Sequence, residues 1–213
     1  SIPGVIATAA ATVTVTVTTP AITLFSLPTT VGAGLQAPGY TARLGASQHG
    51  GVTMRIESSN AAAARVAPNA STAGTAFIEV FIPNGQTDVT YTIQGIEGAS
   101  LPAAPTLTAS ALGFTTATGT VNVVQPAFRL EGLTTSTTSL STDTAFYVAL
   151  GLPSAGNGNL NAIQSVRVGS GGLTATITNS NAAVGQLTTL AGSGQSRTVT
   201  VAEGSPYSAG SVA

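Results

Sequence analysis

The sequence of 213 residues has no cysteine, no tryptophan and no lysine, and it carries little charge of either sign. Charged residues make up 6% of the chain, against about 25% in an ordinary soluble domain. The lack of cysteine excludes disulfides, thiol chemistry and cysteine-based zinc sites. Six scattered arginines form no basic patch that could displace the counterions of a nucleic acid. We therefore expect no nucleic-acid partner.

Side chains suited to catalysis or metal binding are equally scarce. The single histidine, His49, precedes two glycines in a loop and has no acidic neighbour, so we interpret it as a surface residue. The acidic residues are dispersed and show no calcium-binding spacing; they are Glu57, Glu79, Asp88, Glu97, Glu131, Asp143 and Glu203. One alternative is that Glu97 and Glu131 meet at a junction between repeats, as in calcium-stiffened tandem proteins. We predict that the protein is not an enzyme and binds no cofactor or metal.

Long apolar runs are also missing. No stretch approaches the 18 or more apolar residues of a membrane helix, and residues 2–11 lack the basic start of a signal peptide. We expect no membrane insertion. A surface with so few charges tends to associate, because like-charge repulsion is weak. This favours a surface that neighbouring copies or sugars cover.

Threonine and glycine are abundant, with 35 and 25 residues. Thr12–Thr18 reads TVTVTVT, an alternation typical of a half-buried strand. Turn signals such as Pro38-Gly39 separate the strand-like runs. Ala61–Ala64 is too short for a stable helix. The pattern predicts an all-β chain of sandwiches. The other strand-like runs are Val52–Glu57, Ala76–Ile82, Val89–Ile93, Thr120–Val124, Leu173–Thr178 and Thr198–Val201.

An internal repeat organises the chain. PAITLFSLPTT, which starts at Pro20, aligns with PAFRLEGLTTS, which starts at Pro126. GGVTMRIESSNAA at residues 50–62 matches GGLTATITNSNAA at residues 171–183, and VFIPNG at residues 80–85 matches VTVAEG at residues 199–204. Apolar positions coincide, so each copy is expected to bury the same face. The second copy also carries an insertion at residues 152–170.

The repeat predicts three segments. ATVTVTVTTP at residues 11–20 aligns with ATGTVNVVQP at residues 117–126, which is the last strand of the first copy. Residues 1–19 are therefore an orphan terminal strand. Residues 20–125 form a complete domain, and residues 126–213 form an incomplete domain that lacks the counterpart of about 95–124.

Three segments of the first copy resemble the bacterial Ig-like tandem repeats of large cell-surface and adhesion proteins. They are SSNAAAARVAP, IEVFIPNGQTDVTYTIQG and LTASALGFTTATGTVNVVQP, at residues 58–68, 78–95 and 107–126. The second copy follows this pattern more loosely. The resemblance implies Ig-like β-sandwiches with a structural, spacer or adhesive role at the cell surface, and it implies no catalytic residues.

The orphan strand points to assembly. Val13, Val15 and Val17 lie on one face of it, and their burial contributes about 5–9 kcal/mol. An incomplete sandwich exposes an apolar slot and unpaired strand edges. We predict strand addition, in which residues 1–19 of one copy complete the second domain of another, head to tail. The alternative is a segment of a longer tandem chain that supplies the strand in cis.

The sequence thus predicts an extracellular structural subunit of a filament, sheath or surface layer that self-associates into a homopolymer. An alternative is part of a giant adhesin or a carbohydrate-binding surface stalk, with its ligand contacts in residues 152–170. Asn69-Ala70-Ser71 matches the N-glycosylation pattern, and the threonines of residues 134–144 are candidates for O-linked sugar.

Overall fold

The computed structural model describes residues 3–4, 14–138, 140–156, 158–210 and 212. This part of the chain is all-β and contains no helix, which confirms the predicted fold class. The strands are β1 (Ile22–Phe25), β2 (Thr29–Gly32), β3 (Leu35–Leu44), β4 (Val52–Ser58), β5 (Ala64–Ala67), β6 (Phe77–Ile82), β7 (Asp88–Gly95), β8 (Thr106–Ala111), β9 (Ala117–Val124), β10 (Ala127–Glu131), β11 (Tyr147–Pro153), β12 (Leu160–Ile163), β13 (Ser165–Val166), β14 (Leu173–Thr178), β15 (Leu187–Thr189), β16 (Gly192–Gly194) and β17 (Ser196–Val201).

The first nine strands build two sheets. One has the order β1-β3-β7-β5, and the other has the order β2-β9-β8-β4-β6. The first sheet corresponds to the A, B, E and D strands of an immunoglobulin domain, and β4, β8 and β9 of the second sheet correspond to its C, F and G strands. The difference is that β5, at the D position, precedes β6 along the chain. β2 and β9 run parallel. The alternating apolar residues of these strands point between the sheets and form one core, which includes Met54, Ile56, Tyr91, Ile93 and Leu107.

The strand-like runs predicted from alternation outside residues 12–18 all lie within or overlap observed strands. The expectation of a separating turn at Pro38-Gly39 is wrong, because both residues lie inside β3. The pairing of β3 with β7 shifts register between Ala37 and Tyr40, and Gly39 has a φ of 89°. A bulge absorbs the two residues, since glycine accepts this backbone conformation without strain.

The second copy repeats two strand pairings of the first in the same register. Ile22 pairs with Leu44 in the first copy, and the aligned Phe128 pairs with Leu150 in the second. β14 and β17 likewise pair as β4 and β6 do. Residues 205–210 and Val212 return along β11 through bridges that include Ala149 with Tyr207. They take the place that the start of β7 has in the first copy.

The insertion at residues 152–170 connects the two copies. β12 extends the sheet of β10 and β11, whereas β13 pairs with Leu35 and Gln36 of β3. Leu35, Leu150, Val166 and Val201 form a separate apolar cluster between the copies, and each of the four is fully buried. Among the described residues, no helix is long and apolar enough to span a bilayer.

Candidate assembly site

The last strand of the first copy shows what a completed sandwich requires. β9 lies between β2 and β8, and its Val121 and Val123 are fully buried. Leu27 covers the same strand closely, because a Cβ added at Gly119 would lie 2.7 Å from the Leu27 Cδ1. β9 therefore closes one side of the core with alternate valines.

The second copy is open at the corresponding place. β4 is flanked by β6 and β8, whereas β14 pairs only with β17 within the described part of the chain. Residues 135–138, which align with β2, form no strand. Between them and β14 lies a cavity of about 560 Å³, which we call the slot. Its walls include Leu130, Leu133, Phe146, Ile177 and Leu187.

Side chains that are buried in the first copy are uncovered in the second. Phe128 is 50% exposed, whereas the aligned Ile22 is 5% exposed. Val184 is 81% exposed, and the aligned Ala63 is 2% exposed. Burying apolar surface contributes about 25 cal/mol of free energy per Å², and these exposed side chains lack that contribution. The second copy thus leaves apolar side chains exposed at positions that are buried in the first copy.

Residues 14–19 are exposed, and none of them lines the slot. Residues 14–20 form no strand, and Val15 and Val17 are 78% and 90% exposed. The predicted alternation is present, but the half-burial expected of it is not, since no described strand lies beside it. Val13 lies outside the described residues.

The chemistry of the slot suits strand packing. Its walls combine apolar side chains with hydroxyls of residues 134–144, and Asp143 is the one ionisable residue among the described residues that line it. The described residues contain no group of three or more histidine or acidic side chains that could hold a metal. The slot offers apolar contacts and hydrogen-bonding groups to a Thr/Val strand.

The other predicted site residues are placed separately. The His49 ring bonds to the Gln86 carbonyl oxygen at 2.9 Å, accepts the Gly51 amide at 3.1 Å, and lies edge-on to Phe114. His49 therefore organises its loop. Asn69 lies exposed in the β5–β6 loop, and its Oδ1 accepts the amide of Ser71 at 3.0 Å. Its glycosylation stays a prediction.

Glu97 and Glu131 form ion pairs with different arginines. Each has its own arginine: Glu131 pairs with Arg129 on the same strand, and Glu97 pairs with Arg167 of the insertion. The hydrogen bonds from Arg167 lower the pKa of Glu97 below its usual range, against a smaller opposing effect of burial. The calcium alternative thus lacks its two free carboxylates.

Sequence reasoning missed a polar junction between the copies. Gln36 and Gln94 are buried, and the Gln94 Nε2 donates to the Gln36 Oε1 at 3.0 Å. The Val168 amide reaches the same oxygen at 3.2 Å. The Gln164 Nε2 donates to the Thr30 carbonyl at 3.1 Å. A usable signal was present, because Arg167 is the single charge in an otherwise neutral insertion.

No family model and no curated protein matches the sequence. Two solved structures of surface layer protein SbsC are similar in part. Domains 4–9 match with 19% identity and a TM-score of 0.37, over 76% of this chain and 23% of that one. Domains 5–6 match with 17% identity and a TM-score of 0.36, over 86% of each chain. This chain thus spans less than a quarter of the first structure, and at these TM-scores neither likeness assigns it a role.

Proposed function

We propose that the protein is a structural subunit of an extracellular assembly, a filament, sheath or surface layer, in which copies join head to tail by strand addition. The segment of one molecule that includes Val13, Val15 and Val17 completes the second sandwich of the next molecule. The contrast between the closed first copy and the open second copy carries the proposal. Phe128 and Val184 are exposed where Ile22 and Ala63 are buried.

Composition supports the same proposal. Few charged residues face solvent, so little repulsion opposes close packing of copies. Donor and slot lie on different parts of the chain, so the contact is heterologous and propagates unless its rotation closes a ring. Glycans at Asn69 or on the exposed threonines would cover further surface.

Ligand binding by the insertion is supported less well. Its residues Gln164 to Arg167 are engaged with the first copy through β13, the Glu97 ion pair and the bond from Gln164 to Thr30. These groups are not free to contact a ligand. These four residues instead connect the insertion to the first copy of the repeat.

The test is a double substitution, Val15→Asp with Val17→Asp, examined by sedimentation velocity and negative-stain microscopy. Two carboxylates cannot enter the apolar slot without a large desolvation cost, so the variant is expected to stay monomeric. Thr14→Asp with Thr16→Asp is the matched control, because it adds the same charge to the other face. Polymers of wild-type length from the valine variant would refute the proposal.

A further inference from the structure

The first copy also defines how a donor strand would lie in the slot. β9 runs parallel to β2, with Val121 opposite Thr29 and Val123 opposite Val31. The repeat aligns Val15 and Val17 with Val121 and Val123, and it aligns residues 135 and 137 with residues 29 and 31. The second copy keeps the registers of its other strand pairs, as β10 with β11 and β14 with β17 show.

We propose that residues 12–18 of another molecule of this protein enter the slot parallel to residues 135–138, with Val15 opposite Thr135 and Val17 opposite Thr137. This inference rests on the proposed function and specifies its partner, the direction of the donor and its register. Residues 135–138 then form the strand that β2 forms in the first copy.

The side chains that fill the corresponding positions in the first copy indicate which segment occupies the slot. A strand in the place of β9 turns alternate side chains inward, and Val15 and Val17 supply β-branched apolar groups at the two positions that are fully buried in the first copy. Leu133 aligns with Leu27, which covers β9, and it is 51% exposed in the second copy. The donor would cover it.

The outward residues of the donor make the register measurable. Thr30 lies opposite Asn122 in the first copy, so Ser136 would lie opposite Thr16. Partners across a sheet have Cα atoms about 4.8 Å apart, within disulfide range, whereas a shift of two residues separates them by about 8 Å. The chain has no cysteine, so introduced thiols react only with each other.

The experiment mixes a Thr16→Cys variant with a tagged Ser136→Cys variant under mild oxidation. A rapid covalent adduct of the two different chains is expected, as is one from Thr18→Cys with Thr138→Cys, which align with the paired Val124 and Gly32 of the first copy. Thr16→Cys with Thr138→Cys is the shifted control and should cross-link at least tenfold more slowly. Each cysteine variant is first shown, under reducing conditions, to form polymers of wild-type length. If the first pair of substitutions impairs assembly, the second in-register pair is used to test the register.

The outcomes separate the two proposals. Preferential linking of Thr16→Cys to Thr176→Cys would place the donor beside β14, where β8 lies in the first copy; it would overturn the register and leave strand addition intact. Preferential linking to Thr138→Cys would likewise overturn the register alone. A wild-type chain that stays monomeric would refute the proposed function and this inference with it.

Discussion

Arg167 of the insertion and Glu97 of the first copy form a two-pronged ion pair. The Arg167 Nε donates to the Glu97 Oε2 at 2.6 Å, and its Nη2 donates to the other carboxylate oxygen. The Arg167 amide also donates to the Gly34 carbonyl at 2.9 Å. The arginine side chain is 7% exposed and the glutamate side chain 43%. The pair fixes the insertion on the first copy.

Replacing Arg167 with glutamine should destabilise the chain. It removes both charged hydrogen bonds and leaves Glu97 without its main partner. A fully buried pair would lose about 3–5 kcal/mol, but the exposure of Glu97 reduces the expected loss to about 1–2 kcal/mol. Urea unfolding measures it. Arg43→Gln, which breaks the exposed pair with Asp88, is the control and should cost much less. Equal losses of stability in the two variants would show that the Arg167–Glu97 pair contributes no more than an exposed ion pair.

The same ion pair predicts a pH dependence. Arg167 lowers the pKa of Glu97 in the folded state. A lowered pKa gives stability that is present above the usual carboxyl range and is lost as the pH falls through the folded-state value. Glu97→Gln should therefore be less stable than wild type at pH 7, and the difference in melting temperature should shrink towards pH 3. A difference that stays constant over this range would contradict the assignment.

The repeat made much of the fold predictable. Alternation located β4, β6, β7, β9, β14 and β17, and the alignment of the copies matched β4 with β14 and β6 with β17. The alignment also predicts an incomplete second domain with an apolar slot, and this stays a prediction. The strand predictions succeed because each depends on a local pattern or on a comparison of one copy with the other.

The junction could not be predicted from alternation or from the alignment of the copies, and its one signal in the sequence is the single charge of the insertion, Arg167. β13 has two residues, and its partner β3 lies more than a hundred positions earlier, in the other copy. The insertion has no counterpart in the first copy that would indicate this pairing. Gln36 and Gln94 sit within runs of strand residues, and nothing local distinguishes them from exposed polar positions. Their partners lie in the β5–β6 loop and at Val168 of the insertion, both distant along the chain.

Gln94 should matter more than its polarity suggests. Its Oε1 accepts the Gly74 amide at 2.8 Å, and its Nε2 donates to the Thr72 carbonyl at 2.9 Å. Gln94→Leu leaves these groups without their partner, at about 1–3 kcal/mol for each buried group. We expect a loss of at least about 2 kcal/mol in chemical unfolding. Gln195→Leu, at an exposed position, should have little effect. A Gln94→Leu protein as stable as that control would refute the role of this network.

Tyr91, unlike Gln94, has a buried polar group that makes no hydrogen bond. Its hydroxyl is buried without a hydrogen-bond partner, and burial raises its pKa. Tyr91→Phe removes a polar group that gains nothing in the folded state, so stability should stay equal or rise by about 1 kcal/mol. Tyr40→Phe is the matched control, because the Tyr40 hydroxyl bonds to the Thr29 Oγ1 at 2.6 Å. It should lose about 1 kcal/mol. Thermal unfolding of both variants decides, and a clear loss in Tyr91→Phe would contradict the prediction.

The open slot should accept a separate peptide. The Val15→Asp/Val17→Asp chain keeps its slot but has no functional donor, so a peptide of residues 11–19 with the native sequence should bind and raise its melting temperature. At a hundredfold excess over the dissociation constant, binding to the folded state alone contributes about 2.7 kcal/mol. The same peptide with both aspartates is the control and should leave the melting temperature unchanged. The native peptide should also shorten wild-type polymers, because it competes for the same slot. Stabilisation by both peptides, or by neither, would show that the slot does not select the valines.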